Sequence, residues 1–240
     1  MTQREIRTKK TRIALAVSFK KNVVKSLEPL SFMPNKMNCL ILAAHYDDDV
    51  LGCGGTIIRH CIRGDFCKVV YMTDGSASQH TRHDKKRLTT IRKQEALRAL
   101  KCLGSVSSEF WDEEDSKLLN SSTNIKRMQM ILSEHHYHRI YFPNIRDSYR
   151  DHRMVGEILI DTIKKMSYKA ELFMYEIIEL LTIPDVYANI TEDMAIKKKA
   201  LDCHQTQMEY MDYSQITQYI GKMRGRQNNV EYCEVFSQVK

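Results

Sequence analysis

Apolar and polar positions alternate along this chain in blocks, with strand-length apolar runs separated by longer segments that carry an apolar stripe. Short continuous apolar runs are typical of strands buried on both faces, and apolar positions three or four residues apart are typical of helices. The predicted strands are 37–44, 66–73, 108–111, 139–143, 172–178 and 232–236. The predicted helices are 53–63, 84–103, 124–135, 152–166 and 192–210. This alternation predicts an α/β fold, a Rossmann-like three-layer sandwich with a mostly parallel sheet in a single domain.

The size and cysteine content fit one core in a reducing compartment. The chain has 240 residues, 42% of them hydrophobic, and no apolar run long enough to span a membrane. Its 7 cysteines include no C-x-x-C pair, which favours buried thiols over a zinc knuckle or disulfides. The apolar run 13–19 stops at Lys20 without a small-residue cleavage site, so we expect no export signal and a cytoplasmic location.

The net charge of +7 is confined to the start of the sequence. Residues 1–25 contain eight Lys or Arg and one acidic residue, so the remainder of the chain balances to zero. We therefore divide the chain into a basic N-terminal arm, residues 1–36, and a folded domain, residues 37–240. A nucleic-acid-binding protein driven by the arm is one alternative, but a neutral body argues against it.

Three polar loops follow predicted strands directly, at His45, Asp74 and Asn144. In parallel α/β sheets, ligands bind outside the carboxyl ends of the strands. The sequence therefore predicts that these loops share one edge of the sheet and form the functional site.

The densest chemistry lies between His45 and the aspartates 47–49. An imidazole and a carboxylate on a tight loop that enters a helix can point at one ion, and such ligands suit zinc, iron or manganese. Negative charge at a helix N-terminus is the alternative explanation for the aspartates, and the residues alone leave both open. The following GCGG run fits neither the G-x-G-x-x-G nor the P-loop pattern, so a nucleotide site is not indicated.

A third metal ligand could come from His152, at the start of a predicted helix on the same edge. With His45 and Asp48 it would make two histidines and one carboxylate, which leaves a position for water as in catalytic sites. A capping Asp151 beside a surface histidine is the alternative, which this segment alone favours. The cluster His135–His138 lies at the opposite edge of the predicted sheet, so we discount it as a metal site.

Ala44–Gly55 resembles the AHPDDE-VLGCGG signature of the LmbE-like, or PIG-L, N-acetylglucosaminyl deacetylases, with Tyr46 in place of proline and Asp49 in place of glutamate. Weaker matches follow in the order found in the family: Thr73-Asp74-Gly75, Arg92-x-x-Glu95, Asp151-His152-Arg153 with Val155-Gly156, His204-Gln-Thr-Gln207, Arg224-Gly225-Arg226 and Tyr232-Cys-Glu234-x-Phe236.

The resemblance implies a zinc-dependent hydrolase that removes acetyl from an N-acetyl amino sugar or sugar conjugate. By position, His45, Asp48 and His152 would bind zinc, with Fe²⁺ or Mn²⁺ as other ions that such ligands accept. Asp47 would be the general base. An iron(II) enzyme that uses the same three ligands for oxygen chemistry is the enzymatic alternative. An oligomer is compatible with these residues.

One position departs from the family at the expected oxyanion donor. Tyr149 replaces the first histidine of the HPDH motif and Arg150 replaces its proline. We expect Tyr149 to take a catalytic role, because a phenol can donate a hydrogen bond to an oxyanion. Arg150, Arg92 and Asp74 are expected to bind substrate.

Two further residues have open alternatives. An intrahelical bond to Glu95 would explain Arg92 without any substrate. His204 lies either near the site or on a solvent-exposed helix face.

Overall fold

The computed structural model describes residues 27–33, 35–77, 84–177 and 179–239. Within these residues one sheet contains all the strands: β1 (Glu28–Pro29), β2 (Asn38–Ala43), β3 (Phe66–Thr73), β4 (Val106–Glu113), β5 (Arg139–Pro143), β6 (Glu171–Tyr175), β7 (Val186–Asn189) and β8 (Cys233–Val239). The helices are α1 (Asp48–Arg63), α2 (Lys85–Leu103), α3 (Ser122–Glu134), α4 (Arg150–Met166), α5 (Met194–Leu201), α6 (Gln205–Met208) and α7 (Tyr213–Gln227).

The strand order is β1-β7-β8-β6-β5-β2-β3-β4. Strand β8 runs antiparallel to both of its neighbours, β6 and β7, and every other pair in the sheet is parallel. Strand β2 lies in the interior, between β3 and β5. The predicted single-domain α/β fold with a mostly parallel sheet is confirmed.

The core is divided by the sheet into two layers. Successive side chains of a strand point to opposite faces, so Ile41 and Tyr141 join the apolar cluster on the side of α1, α2 and α5. Leu40 and Phe142 join the cluster on the side of α3 and α4. Burial of each large apolar side chain contributes about 1.5–3 kcal/mol. The helices on both faces explain why the strands read as continuous apolar runs.

Helix α1 begins at Asp48, five residues before its predicted start. The backbone at Cys53 is not helical, with φ −145° and ψ 23°, so the predicted start coincides with a kink. Gly64 ends the helix in the left-handed region at φ 74°, as predicted. Gly52 packs so closely on the ring of Tyr175 that a Cβ would overlap it, which supports a packing role for the GCGG run.

The C-terminal third differs most from the prediction. The helix predicted over 192–210 is broken into α5 and α6, because the backbone of His204 is not helical (φ −86°, ψ 58°). Strand β7 and helix α7 were not predicted. Strand β7 has only 4 residues, and the apolar stripe of α7 is interrupted by Gly221 and Gly225.

Part of the predicted arm belongs to the sheet. Residues Glu28–Pro29 pair with Val186–Tyr187 of β7 and form the edge strand β1. Residues 1–26, which carry the basic excess, lie outside the described residues. None of the helices described combines the length and apolar character needed to cross a membrane.

Candidate functional site

The site lies at the carboxyl ends of β2 and β5, which are neighbours in the sheet. The chain leaves β2 towards β3 on one side, and it leaves β5 towards β6 on the other. Loops diverge at such a switch point and leave a crevice, which is the usual ligand position in open α/β sheets. The crevice brings the loop after β2, with His45 and Asp48, against the start of α4, with His152.

Three predicted metal ligands meet in this crevice. Asp48 Oδ2 lies 3.5 Å from His45 Nδ1 and 3.4 Å from His152 Nε2, and the two ring nitrogens are 3.3 Å apart. Tetrahedral zinc bonds of about 2.0–2.1 Å require ligand atoms about 3.4 Å apart. The three donor atoms therefore fit one tetrahedral ion and leave its fourth position for water.

Two further aspartates orient the histidines. His45 Nε2 lies 3.4 Å from Asp115 Oδ1, and His152 Nδ1 lies 3.2 Å from Asp147 Oδ2. A carboxylate facing one ring nitrogen favours a proton there, which leaves the lone pair on the other nitrogen. Both lone pairs then face Asp48, as metal binding requires.

The electrostatics of the crevice favour a cation. Burial lowers the pKa of His152, but the charge of Asp48 and hydrogen bonds to Asp147 and Asp48 together outweigh burial and raise the pKa to about 9. Burial also lowers the pKa of His45, but the charges of Asp48 and Asp115 and the hydrogen bonds to them together raise it well above its ordinary value. Burial would raise the pKa of Asp48, yet the charges of His152 and His45 hold it far below its usual range. A divalent ion supplies the positive charge that these groups otherwise obtain from protons.

Asp47 lies beside the triad and lines the same pocket. It occupies the N-cap position of α1, but its side chain makes no capping hydrogen bond. Instead Asp47 Oδ1 lies 3.5 Å from Nη2 of Arg92, which is 4% exposed and donates from Nη1 to the Gly75 carbonyl at 2.5 Å. The alternative that the aspartates only occupy a helix N-terminus is therefore incomplete, because Asp47 and Asp48 both face the pocket.

The intrahelical partner considered for Arg92 is engaged elsewhere. Glu95 accepts hydrogen bonds from the backbone N–H and the hydroxyl of Thr206, at 3.0 and 2.6 Å. These bonds hold α6 against α2, and α6 contributes Gln207 to the pocket wall.

Two predicted site residues line the pocket at the start of α4. The Tyr149 ring lies 5.3 Å from the His152 ring, and 57% of the residue is exposed. Arg150 Nη1 donates to the Leu118 carbonyl at 2.6 Å and lies 3.6 Å from Asp151 Oδ1.

Asp74, by contrast, is not among the residues that line the pocket. It accepts hydrogen bonds from the backbone N–H groups of Ser76 and Asp115, at 3.0 and 3.1 Å, and so fixes the loop that carries Asp115.

The remaining open alternatives are resolved by burial. His152 is 4% exposed and is not a surface histidine, and Asp151 accepts from the Ser116 N–H at 2.6 Å. His204 is also buried, which lowers its pKa to about 4, and its Nε2 has no hydrogen-bond partner. In the described part of the chain, the groups with metal-ligand spacing all lie at this site, and none includes His135–His138.

Sequence reasoning missed Asp115, Asp147, Tyr210 and Tyr213 as site residues. The pocket has a volume of about 450 Å³, and its lining includes Asp115 and both tyrosines. A longer strand prediction would have found Asp115, because β4 extends to Glu113 rather than to residue 111, and Asp115 follows on the same edge. No local signal marks Tyr210 or Tyr213, which reach the site through the fold of the C-terminal third.

Comparisons with known proteins identify relatives of similar sequence and fold. The uncharacterized deacetylase YaiS of Escherichia coli K12 is 25% identical over 186 residues, covering 74% of this chain and 95% of that protein. The N,N'-diacetylchitobiose deacetylase of Pyrococcus horikoshii has a TM-score of 0.76 at 22% identity, covering 100% of this chain and 93% of that chain. The 4-carboxy-2-hydroxymuconate hydratase GalB of Pseudomonas putida KT2440 has a TM-score of 0.74 at 20% identity, covering 85% and 96%. The two solved structures establish the fold. The two proteins are named for different reactions, one as a deacetylase and the other as a hydratase.

The family match covers the site itself. Residues 40–163 match the family described as PIG-L, GlcNAc-PI de-N-acetylase. This range is more than half of the chain and contains the three clustered ligands, together with Asp47 and Arg92. The chain belongs to the PIG-L family of GlcNAc-PI de-N-acetylases.

Proposed function

We propose that this protein is a metal-dependent deacetylase that hydrolyses the acetamide of an N-acetyl amino sugar or its conjugate. The observation that carries the proposal is the triad of His45, Asp48 and His152 with a further carboxylate, Asp47, at its side, in a pocket of about 450 Å³. The pocket is within the usual size range for small-molecule sites. The deacetylases named among the relatives support the same reaction class.

We assign zinc to the triad, with His45, Asp48 and His152 as its ligands. When bound, zinc lowers the pKa of its water to about 7 and polarises a carbonyl group. The ligand spacing fits tetrahedral zinc bonds, and two nitrogens with one oxygen are a donor set typical of catalytic zinc.

Asp47 is the proposed general base. It accepts a proton from the attacking water while a new bond forms to the amide carbon, and it returns the proton to the leaving amine when the carbon–nitrogen bond breaks. Arg92 lies 3.5 Å from Asp47 Oδ1 and is itself held by the Gly75 carbonyl, so it positions this carboxylate. The products are acetate and a free amino sugar.

Tyr149 is the proposed donor to the oxyanion, in place of the histidine that the family motif has at this position. Its ring lies beside His152, so a phenol there can reach the reacting carbonyl. Arg150 and Arg92 line the pocket, and N–H groups not used by the protein can donate to sugar hydroxyls. Asp74 acts on substrate indirectly, through the loop that it fixes.

The test measures acetate release from a panel of N-acetyl sugars and conjugates by the zinc-loaded protein. Asp48→Ala should lose both metal and activity, whereas Asp47→Asn should keep the metal and lose activity. His136→Ala, at an exposed histidine outside the site, is the matched control and should change neither. Absence of acetate release across the panel by the metal-loaded protein would refute the proposal.

The two alternatives make different predictions. An iron(II) oxygen enzyme would use the same ligands but would require dioxygen for turnover, which an amide hydrolase does not. Binding of nucleic acid by the basic arm depends on residues 1–25, which lie outside the described residues, and would fall steeply with added salt.

A further inference from the structure

The mouth of the pocket is aromatic, whereas its floor is charged. Tyr149 and Tyr210 line the pocket and are 57% and 53% exposed, and Tyr213 lines it half-buried. Large aromatic side chains gain stability by burial, so two rings left more than half exposed beside a polar cleft indicate a surface that a ligand covers.

The rings come from two segments that the fold holds in place. Tyr149 is the N-cap residue of α4; its N–H donates to Asp147 Oδ1 at 2.9 Å, and its ring lies 5.3 Å from that of His152. Tyr210 and Tyr213 lie between α6 and the start of α7, and α6 is tied to α2 through Glu95. Tyr149 therefore adjoins the proposed metal site, and Tyr210 and Tyr213 line the same pocket from the C-terminal segment.

The tyrosines are close enough to influence one another. Burial raises the pKa of Tyr213 to about 12, and the charges of Asp47, Tyr149 and Tyr210 act in the same direction. Tyr149 and Tyr210 are thus both near Tyr213, and Tyr213 is itself near Asp47, the proposed base. The aromatic mouth is therefore continuous with the charged floor of the pocket.

The charge of the lining favours a neutral ligand. It includes four carboxylates, those of Asp47, Asp48, Asp115 and Asp151, and two guanidinium groups. A divalent metal and the two arginines would balance these carboxylates. Arg92 is paired with Asp47 and the Gly75 carbonyl, and Arg150 with Asp151 and the Leu118 carbonyl. The charge of each arginine is therefore already offset by a carboxylate, which leaves no excess positive charge in the lining to favour a phosphate or carboxylate.

We propose that Tyr149 and Tyr210 form a stacking subsite for a neutral sugar ring attached to the reacting N-acetyl sugar. Sugar rings present C–H faces that pack on aromatic rings, while their hydroxyls remain hydrogen-bonded. The substrate class is then a neutral glycoside with at least two rings, in preference to a free monosaccharide or a sugar phosphate. This inference rests on the proposed deacetylase function and narrows its substrate.

The first experiment compares kcat/KM for N,N'-diacetylchitobiose, N-acetylglucosamine and N-acetylglucosamine 1-phosphate. The disaccharide should be preferred, and Tyr149→Ala and Tyr210→Ala should each lower the disaccharide-to-monosaccharide ratio about three- to tenfold, through KM. Tyr210→Phe should keep the ratio, since stacking needs the ring and not the hydroxyl. Tyr219→Ala, at a tyrosine that is 65% exposed but does not line the pocket, is the matched control and should leave the ratio unchanged.

Tyr149→Phe separates the two roles proposed for Tyr149. The variant should keep the disaccharide preference, because its ring remains. Its kcat should fall by the same factor on all three substrates, because the hydrogen-bond donor to the oxyanion is gone. An unchanged ratio in both alanine variants, or a preference for the phosphate, would overturn the subsite while leaving the deacetylase function intact.

A binding measurement keeps the two proposals distinct. Isothermal titration of zinc-loaded Asp47→Asn with the same three sugars requires no turnover. Tighter binding of the disaccharide that is lost in Asp47→Asn/Tyr210→Ala supports the subsite even if no acetate is ever released, in which case the proposed function fails alone. Equal affinity for disaccharide and monosaccharide would overturn the subsite.

Discussion

Two histidine–aspartate clusters lie at opposite ends of the same strands, and only one has the features of a site. At the amino ends, His60 Nδ1 lies 2.8 Å from Asp65 Oδ2, and His60 Nε2 lies 2.9 Å from the Tyr141 hydroxyl. Because the carboxylate can only accept, the ring donates from Nδ1 and accepts the tyrosine proton at Nε2. Arg139 Nη1 donates to Tyr141 at 3.5 Å, and Asp65 Oδ1 accepts from the Met37 N–H at 3.0 Å.

The cluster at the candidate site has the same residue types, but its polar atoms are arranged differently. Its three facing atoms, His45 Nδ1, His152 Nε2 and Asp48 Oδ2, lie 3.3 to 3.5 Å from one another, and Asp115 and Asp147 hold the outer nitrogens of the two rings. Its lone pairs converge on one point beside a pocket, whereas His60 is fully buried and both its nitrogens are used. Burial lowers the pKa of His60 to about 4, whereas at His152 the carboxylates of Asp48 and Asp147 together outweigh burial and raise the pKa to about 9. The direction in which the polar atoms point, rather than the residue types, distinguishes the candidate site from the structural network.

The largest effect that tests this comparison is expected in Asp47→Asn. General acid–base catalysis contributes about 10²- to 10⁴-fold, so kcat should fall by that factor. Bound metal and thermal stability should remain at wild-type levels, because Asp47 is not a proposed ligand and its side chain makes no capping hydrogen bond. Metal content by atomic spectroscopy and a thermal melt accompany the rate measurement. Retained activity would remove Asp47 from the catalytic role.

His60→Ala should lower stability and leave kcat unchanged, which is the reverse of the effect expected for Asp47→Asn. It leaves a cavity and removes the partner of a buried carboxylate, so unfolding free energy should fall by about 3–5 kcal/mol. The kcat of the folded fraction should be unchanged, since His60 lies at the other edge of the sheet. Urea unfolding and active-site-normalised rates provide the two measurements. A loss of kcat without a loss of stability would contradict a structural role for His60.

The pH dependence of stability provides a third test. The His60 pKa is about 4 in the folded state and about 6.5 when unfolded, so below pH 6.5 the unfolded chain binds more protons. This contribution to stability is full above about pH 6.5 and is lost progressively as the pH falls to about 4, by up to about 3 kcal/mol. The difference between wild type and His60→Ala should therefore narrow across this window in urea titrations. A difference that is constant from pH 7 to pH 4 would contradict the shifted pKa.

The smallest expected effect is that of Asp115→Asn. An amide still fills the space but orients His45 less well, so metal affinity should fall about 10- to 100-fold. Competition with a chelator measures the affinity. Asp65→Asn, which alters the histidine partner in the structural cluster, is the matched control and should leave metal affinity unchanged. Equal metal loss in both variants would mean that global destabilisation, rather than ligand orientation, sets the affinity.

Local sequence patterns were sufficient to locate the strands that consist of one continuous apolar run. The apolar runs located β2, β3 and β5, and the edge of the sheet they define placed His45 near the loop that carries His152. Sequence spacing could not show that Asp115 faces His45, because that contact spans 70 residues and depends on the length of β4. The aromatic mouth was also hidden, since Tyr210 reaches the pocket only because the predicted helix over 192–210 breaks at His204.

The position of β8 has a consequence for how the chain is made. Residues 233–239 insert between β6 and β7, so during synthesis on the ribosome the sheet stays open until this segment has emerged. Until then β6 presents an unpaired edge beside β5, a surface on which nascent chains can pair with one another. The loops that follow β2 and β5, with His45 and the start of α4, have already been synthesised by then. We therefore expect an incomplete chain to be prone to aggregation through this edge during translation.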